Sequence, residues 1–147
     1  MSILVAVAHP DDEVLGCGGT IARHAKNGDD VHILIIAEGA TSRPDSNQED
    51  VVHLRKCAET AAKALNVNSP IFLSFPDNRM DTIAQLDVIK EVERNVDRIR
   101  PEIVYTHHGG DLNIDHRIVH SAVITACRPI PGSPVRQIFT FEAAFIT

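Results

Sequence analysis

Five consecutive residues, His9-Pro10-Asp11-Asp12-Glu13, place one imidazole and three carboxylates directly behind an apolar run. Imidazole and carboxylate are the ligand types that suit a hard or borderline divalent ion. Pro10 stiffens the turn. A three-residue offset can bring His9 and Asp12 to one side, because residues three apart face together across a turn. The intervening carboxylate of Asp11 then points elsewhere, free to hold a water as a general base. Acidic residues also suit the start of a helix, and Glu13 fits that role better than the role of ligand.

A second constellation runs from His107 to His116 as His-His-Gly-Gly-Asp-Leu-Asn-Ile-Asp-His, with His120 four residues on. The chain has eight histidines, and four of them fall in this stretch. His116 and His120 would share one face of a helix, so either or both are open as ligands at this point. A lone histidine is more often a satisfied surface group; clustering tips these toward metal, whereas His24, His32 and His53 read as structural. Gly16-Cys17-Gly18-Gly19 lacks dinucleotide-loop spacing and follows an acidic turn that would repel a pyrophosphate. Those glycines are expected to let a helix pack closely on the sheet.

The elements that must position these groups alternate. Ile3–Ala8, Val31–Ala37, Ile71–Phe75 and Glu102–Thr106 are short apolar runs of the kind buried on both faces, and Val135–Glu142 is a fifth candidate. Between them, helical patterns cover Val14–Lys26, Gln48–Leu65, a stretch from Asp81 or Thr82 to about Ile99, and Ile114 or Asp115 to about Cys127. In the third of these, Leu86, Ile89, Val92, Val96 and Ile99 are expected to face inward. Such alternation implies an α/β, Rossmann-like fold, a mostly parallel sheet of about five strands with helices on both faces. Functional crevices in such folds lie beyond the carboxyl ends of the strands. His9–Glu13, Glu38–Arg43, Asp77–Asp81 and His107–His116 should therefore surround one crevice.

At 147 residues the chain is expected to form one domain, 1–147. An apolar share of 44% and a charged share of 23% are ordinary for a soluble protein. The net charge of −6, with no Lys/Arg cluster, argues against a nucleic-acid coat. No run approaches the roughly 20 apolar residues of a membrane span, and no basic segment precedes the first apolar one. Cys17, Cys57 and Cys127 form no C-x-x-C pair and are expected to be small buried packers in a reducing cytoplasmic setting.

Taken together, Ala8-His9-Pro10-Asp11-Asp12-Glu13, Glu38-Gly39-Ala40, Phe75-Pro76-Asp77-Asn78-Arg79 and Asp111-Leu112-Asn113-Ile114-Asp115-His116 resemble the PIG-L (LmbE-like) zinc N-deacetylases. The resemblance covers essentially the whole chain. It implies Zn2+ held by His9, Asp12 and His116, with Asp11 as the base and His120 behind the site. Three protein ligands leave a position open for water and substrate. The implied reaction removes the N-acetyl group from an N-acetylglucosamine-type sugar, free, nucleotide-linked or lipid-linked. Arg43 and Arg79 are candidates for binding its hydroxyls or a phosphate. The expected partner is this small amino sugar, and a homo-oligomer is compatible with the sequence.

Asn113 stands where the family's H-P-D-H element begins with histidine. It can donate to an oxyanion but cannot transfer a proton at neutral pH, which leaves that transfer to Asp11, His107 or His108. The chain is also expected to be short at its C-terminus relative to the family, which keeps open a catalytically impaired metal- or sugar-binding domain. A receiver-type signalling domain also carries paired acids after its first strand. It needs an acceptor aspartate ending the third strand and a lysine after the fifth, whereas Asp77 follows Pro76 and no lysine follows Lys90.

Overall fold

The computed structural model describes residues 1–143. Among the described residues there are five strands: β1 (Ser2–Val7), β2 (Asp30–Ala37), β3 (Ile71–Phe75), β4 (Ile103–His107) and β5 (Gln137–Phe141). Four helices connect them: α1 (Asp12–Lys26), α2 (Gln48–Ala64), α3 (Gln85–Ile99) and α4 (Ile114–Ala126). The sheet order is β3-β2-β1-β4-β5, and every pairing is parallel. This is the α/β architecture expected from the alternation of apolar runs and helical patterns.

The central strand shows why both faces are apolar. Side chains alternate along a strand, so Ile3, Val5 and Val7 meet Cys17, Ile21 and Ala58 of α1 and α2. Leu4, Ala6 and Ala8 meet Val88, Val92, Val119 and Val123 of α3 and α4 on the other face. Because β1 sits between β2 and β4, its carboxyl end opens onto the loops of both neighbours. Gly16 brings α1 close to β5, since a Cβ there would overlap the Phe141 ring.

Four local expectations are corrected. The third helix begins at Gln85, after a 3-10 turn at Met80–Thr82 and an extended Ile83. The amides of Asn78 and Met80 are tied to Asp115, so this stretch follows the site and not a helical path. Of the residues expected on the inward face of α3, Val92, Val96, Ile89 and Ile99 pack on the core together with Val88, whereas Leu86 is exposed. Cys57 is exposed, unlike buried Cys17 and Cys127. His107 ends β4 as a fully buried residue and does not open the following loop.

Candidate metal centre

The loop leaving β1 is held in an unusual backbone state. Asp11 has φ 100° and ψ −25°, a left-handed conformation that a non-glycine residue adopts at a cost. Its amide donates to Glu13 Oε2 at 3.0 Å, and its carbonyl accepts from the amides of Val14 and Leu15. Glu13 is therefore a buried brace, and its burial pushes the carboxyl up to about 7. The Asp11 side chain makes no cap hydrogen bond to α1. Burial and the neighbouring Asp12 charge raise its pKa to about 6.

Below Asp11, one ligand atom each from His9, Asp12 and His116 lies within 4.8 Å of the others, and all three residues are buried. Partners on the far side of each ring set where its hydrogens sit. His9 Nε2 is 2.8 Å from Asp115 Oδ2, and a carboxylate can only accept there, so the hydrogen lies on Nε2. His116 Nδ1 is 3.0 Å from Asp111 Oδ2, which fixes the hydrogen on Nδ1. His107 Nε2 accepts the Ala8 amide at 3.0 Å. Its ring stacks on His116 at a centroid distance of 3.8 Å.

With hydrogens so placed, the Asp12 carboxylate faces lone pairs. Its Oδ2 is 3.4 Å from His9 Nδ1, 3.3 Å from His107 Nε2 and 3.1 Å from His116 Nε2. Among the described residues, Asp12 Oδ1, His116 Nε2 and His107 Nδ1 are buried without a hydrogen-bond partner, the first two at this cluster. Buried lone pairs converging without hydrogens between them are unfavourable; a cation among those of His9, Asp12 and His116 satisfies all three. Without a metal, protons take that place. Burial pulls the His9 pKa down, but the bonds to Asp115 and Asp12 more than offset this and raise it to about 10. His116 is also raised, burial being outweighed by Asp12 and Asp111. Burial would raise Asp12, yet the three imidazoles hold it well below the usual carboxylate range. The donor set fits a zinc-type ion of nitrogen and oxygen ligands, each imidazole oriented by its own carboxylate.

A crevice of about 340 Å³ opens above this cluster, with His9, Asp11, Ser42, Arg43, Asp77 and Asn78 in its lining. Asp77 accepts the Ser42 amide and hydroxyl and lies 3.3 Å from His9 Nε2. Arg43 is thus at the site. Arg79 is exposed and not among the lining residues. His120 bonds the His107 carbonyl through Nδ1, behind the centre. His107 lies under His116 with no exposure, which removes it as a proton donor to a leaving group in the crevice. Asn113 is the N-cap of α4: its Oδ1 accepts the amides of Asp115 and His116, and its Nδ2 donates to Asn78 Oδ1 at 2.9 Å.

Asp115 and Asp111 orient His9 and His116, roles that residue spacing alone does not assign. The available signal was a carboxylate directly before His116 and another five residues before it.

Comparison with known proteins places the chain in a family. The family model described as "PIG-L: GlcNAc-PI de-N-acetylase" matches residues 4–127. The deacetylase YaiS of Escherichia coli (strain K12), itself uncharacterised, is 35% identical over 147 residues, covering 95% of this chain and 72% of that protein. N,N'-diacetylchitobiose deacetylase from Pyrococcus horikoshii superposes with TM-score 0.78 at 24% identity, over 90% of this chain and 52% of its own, which shows the fold. GalB, the 4-carboxy-2-hydroxymuconate hydratase from Pseudomonas putida KT2440, superposes with TM-score 0.74 at 28% identity, over 85% of this chain and 55% of its own. The chain thus spans about half the length of these two structures. On the family match and the likeness to YaiS, the chain belongs to the PIG-L family.

Proposed function

We infer that the protein is a zinc-dependent hydrolase that removes the N-acetyl group from an N-acetylglucosamine-type sugar or conjugate. The observation that carries this reading is the convergence of lone pairs from His9, Asp12 and His116 beside the solvent-exposed carboxylate of Asp11. Family membership and the amino-sugar substrate in the name of the Pyrococcus enzyme support the substrate class.

His9 through Nδ1, Asp12 through its carboxylate and His116 through Nε2 would hold the ion. Bound zinc supplies a Lewis acid for the amide carbonyl and makes a water more acidic. Asp11, with its pKa raised to about 6, accepts a proton from the attacking water and returns it to the leaving nitrogen. A carboxyl shifted toward neutrality suits both halves of that task. The water oxygen bonds to the carbonyl carbon, the C–N bond breaks, and acetate and a free amine leave. Asn113 caps the helix that carries His116 and donates its amide to Asn78; as the resemblance implies for this position, the side chain would also serve the oxyanion. Arg43, in the crevice lining, binds sugar hydroxyls or a phosphate.

The test is amine release from N-acetylglucosamine and N,N'-diacetylchitobiose by zinc-loaded protein. Release is expected from at least one, abolished by Asp11→Asn at unchanged zinc content. Retained zinc with no release from any N-acetylglucosamine derivative would instead support a metal- or sugar-binding domain.

A further inference from the structure

A second cavity, of about 310 Å³, lies between α1 and α2. Val14 and Leu15 of α1 and Leu54, Cys57, Ala58 and Ala61 of α2 form its apolar wall. Leu15 is 61% exposed and Val14 40%. Single exposed apolar residues are common, but here they share one concave surface, the usual form of a small-molecule site. Pro10, Asp11, Leu15 and Leu54 line both this groove and the metal-site crevice. The two cavities therefore meet at Asp11.

They differ in chemistry on either side of that residue. The crevice presents Ser42, Arg43, Asp77 and Asn78, which suit hydroxyls and anionic groups. The groove presents hydrocarbon. An amide held for attack has its carbonyl carbon beside the base, with an amine on one side and an acyl tail on the other. The polar crevice matches the sugar amine, and the apolar groove matches an alkyl tail.

We propose that the α1–α2 groove is an acyl-chain subsite, which takes an unbranched alkyl chain longer than acetyl on the substrate amide. This rests on the hydrolase reading and names a preference that reading leaves open. Burying one methylene is worth roughly fourfold in binding, so a chain-length series should show the subsite directly.

The experiment compares N-acetyl-, N-butanoyl- and N-octanoylglucosamine on the full zinc-loaded chain. The kcat/KM is expected to rise at least tenfold from acetyl to octanoyl. Ala61→Trp should fill the groove and erase that gain without changing the acetyl rate. Cys57→Trp, at an exposed position, gives the same obstruction should the buried-side change unfold the protein. A second readout needs no turnover. Cys57 is exposed while Cys17 and Cys127 are buried, so its alkylation by iodoacetamide reports on the groove. N-octanoylglucosamine should slow alkylation severalfold, and N-acetylglucosamine should not.

A flat chain-length series with alkylation indifferent to the octanoyl compound overturns the subsite, and amine release from the acetyl compound then leaves the hydrolase reading standing. Protection of Cys57 without amine release from any compound keeps the alkyl site and overturns the hydrolase reading. Protection that grows with protein concentration in the absence of ligand assigns the groove to a second copy of the chain, and overturns the proposal.

Discussion

His9 Nε2 and Asp115 Oδ2 lie 2.8 Å apart, and the same carboxylate accepts the Asn78 amide at 2.6 Å and the Met80 amide at 3.1 Å. One buried side chain thus joins the loops after β1 and β3 to the start of α4. It also leaves His9 Nδ1 facing Asp12. Carboxylates of this kind typically contribute about 10- to 100-fold to metal affinity.

Asp115→Asn should therefore weaken zinc binding by about that factor, since an amide can present NH2 where His9 needs an acceptor. Asp115→Ala should also lower stability, because two backbone donors lose their partner. Competitive zinc titration against a chromophoric chelator measures the first effect and urea unfolding the second. Unchanged zinc affinity in both variants would remove Asp115 from the centre.

Metal binding should release protons. In the metal-free protein His9 is raised to about 10 and His116 is raised, so both sites favour a proton at neutral pH that a metal must displace. Zinc affinity should rise with pH up to about 10, where His9 loses its proton. The same shift sets a stability trend. The His9 contribution is fully present below about pH 6.5 and is lost as pH rises through about 10. Calorimetric titration in buffers of different ionisation enthalpy counts the protons, and a count of zero at pH 7 would contradict the site electrostatics.

Glu13 gives a separate pH signature. Burial lifts its carboxyl from the usual 4.5 to about 7 in the folded protein, so protonation favours the folded state. Its contribution is full below pH 4.5 and is lost as pH rises through 7, by roughly 3 kcal/mol at 1.36 kcal/mol per unit. Glu13→Gln keeps an oxygen to accept the Asp11 amide and removes the charge. It should be more stable than the parent at pH 8 and similar at pH 4. Equal stability differences at both pH values would show that Glu13 ionises freely.

Asn113 separates capping from chemistry. Asn113→Ser retains an oxygen for the N-cap, whereas Asn113→Ala should cost about 1 kcal/mol of stability. If the amide also serves the oxyanion, the Ser variant should keep zinc and lose about 10- to 100-fold in kcat, at or below the usual loss for one such donor. Full turnover by the Ser variant would leave Asn113 with the cap alone.

Local features of the site were legible in the sequence. The buried run Ile3–Ala8 and the closeness of His9 to Asp12 follow from offsets of one to three residues. Such offsets fix geometry whatever the rest of the chain does. The resemblance carried by His9–Glu13 and Asp111–His116 added the family.

What only the tertiary structure decided involves partners distant in sequence. His9 and Asp115 are 106 positions apart, and they meet because β4 pairs with β1. That pairing fixes the histidine tautomers, buries His107 beneath His116, and ties Asn78 and Met80 to the site so that α3 starts late. The same is true of the two arginines, which lie on similar polar loops although only Arg43 lines the crevice. Periodicity states which face of an element is apolar. Which carboxylate stands behind which imidazole depends on how the strands are ordered, and that order is set by burial summed over the whole sheet.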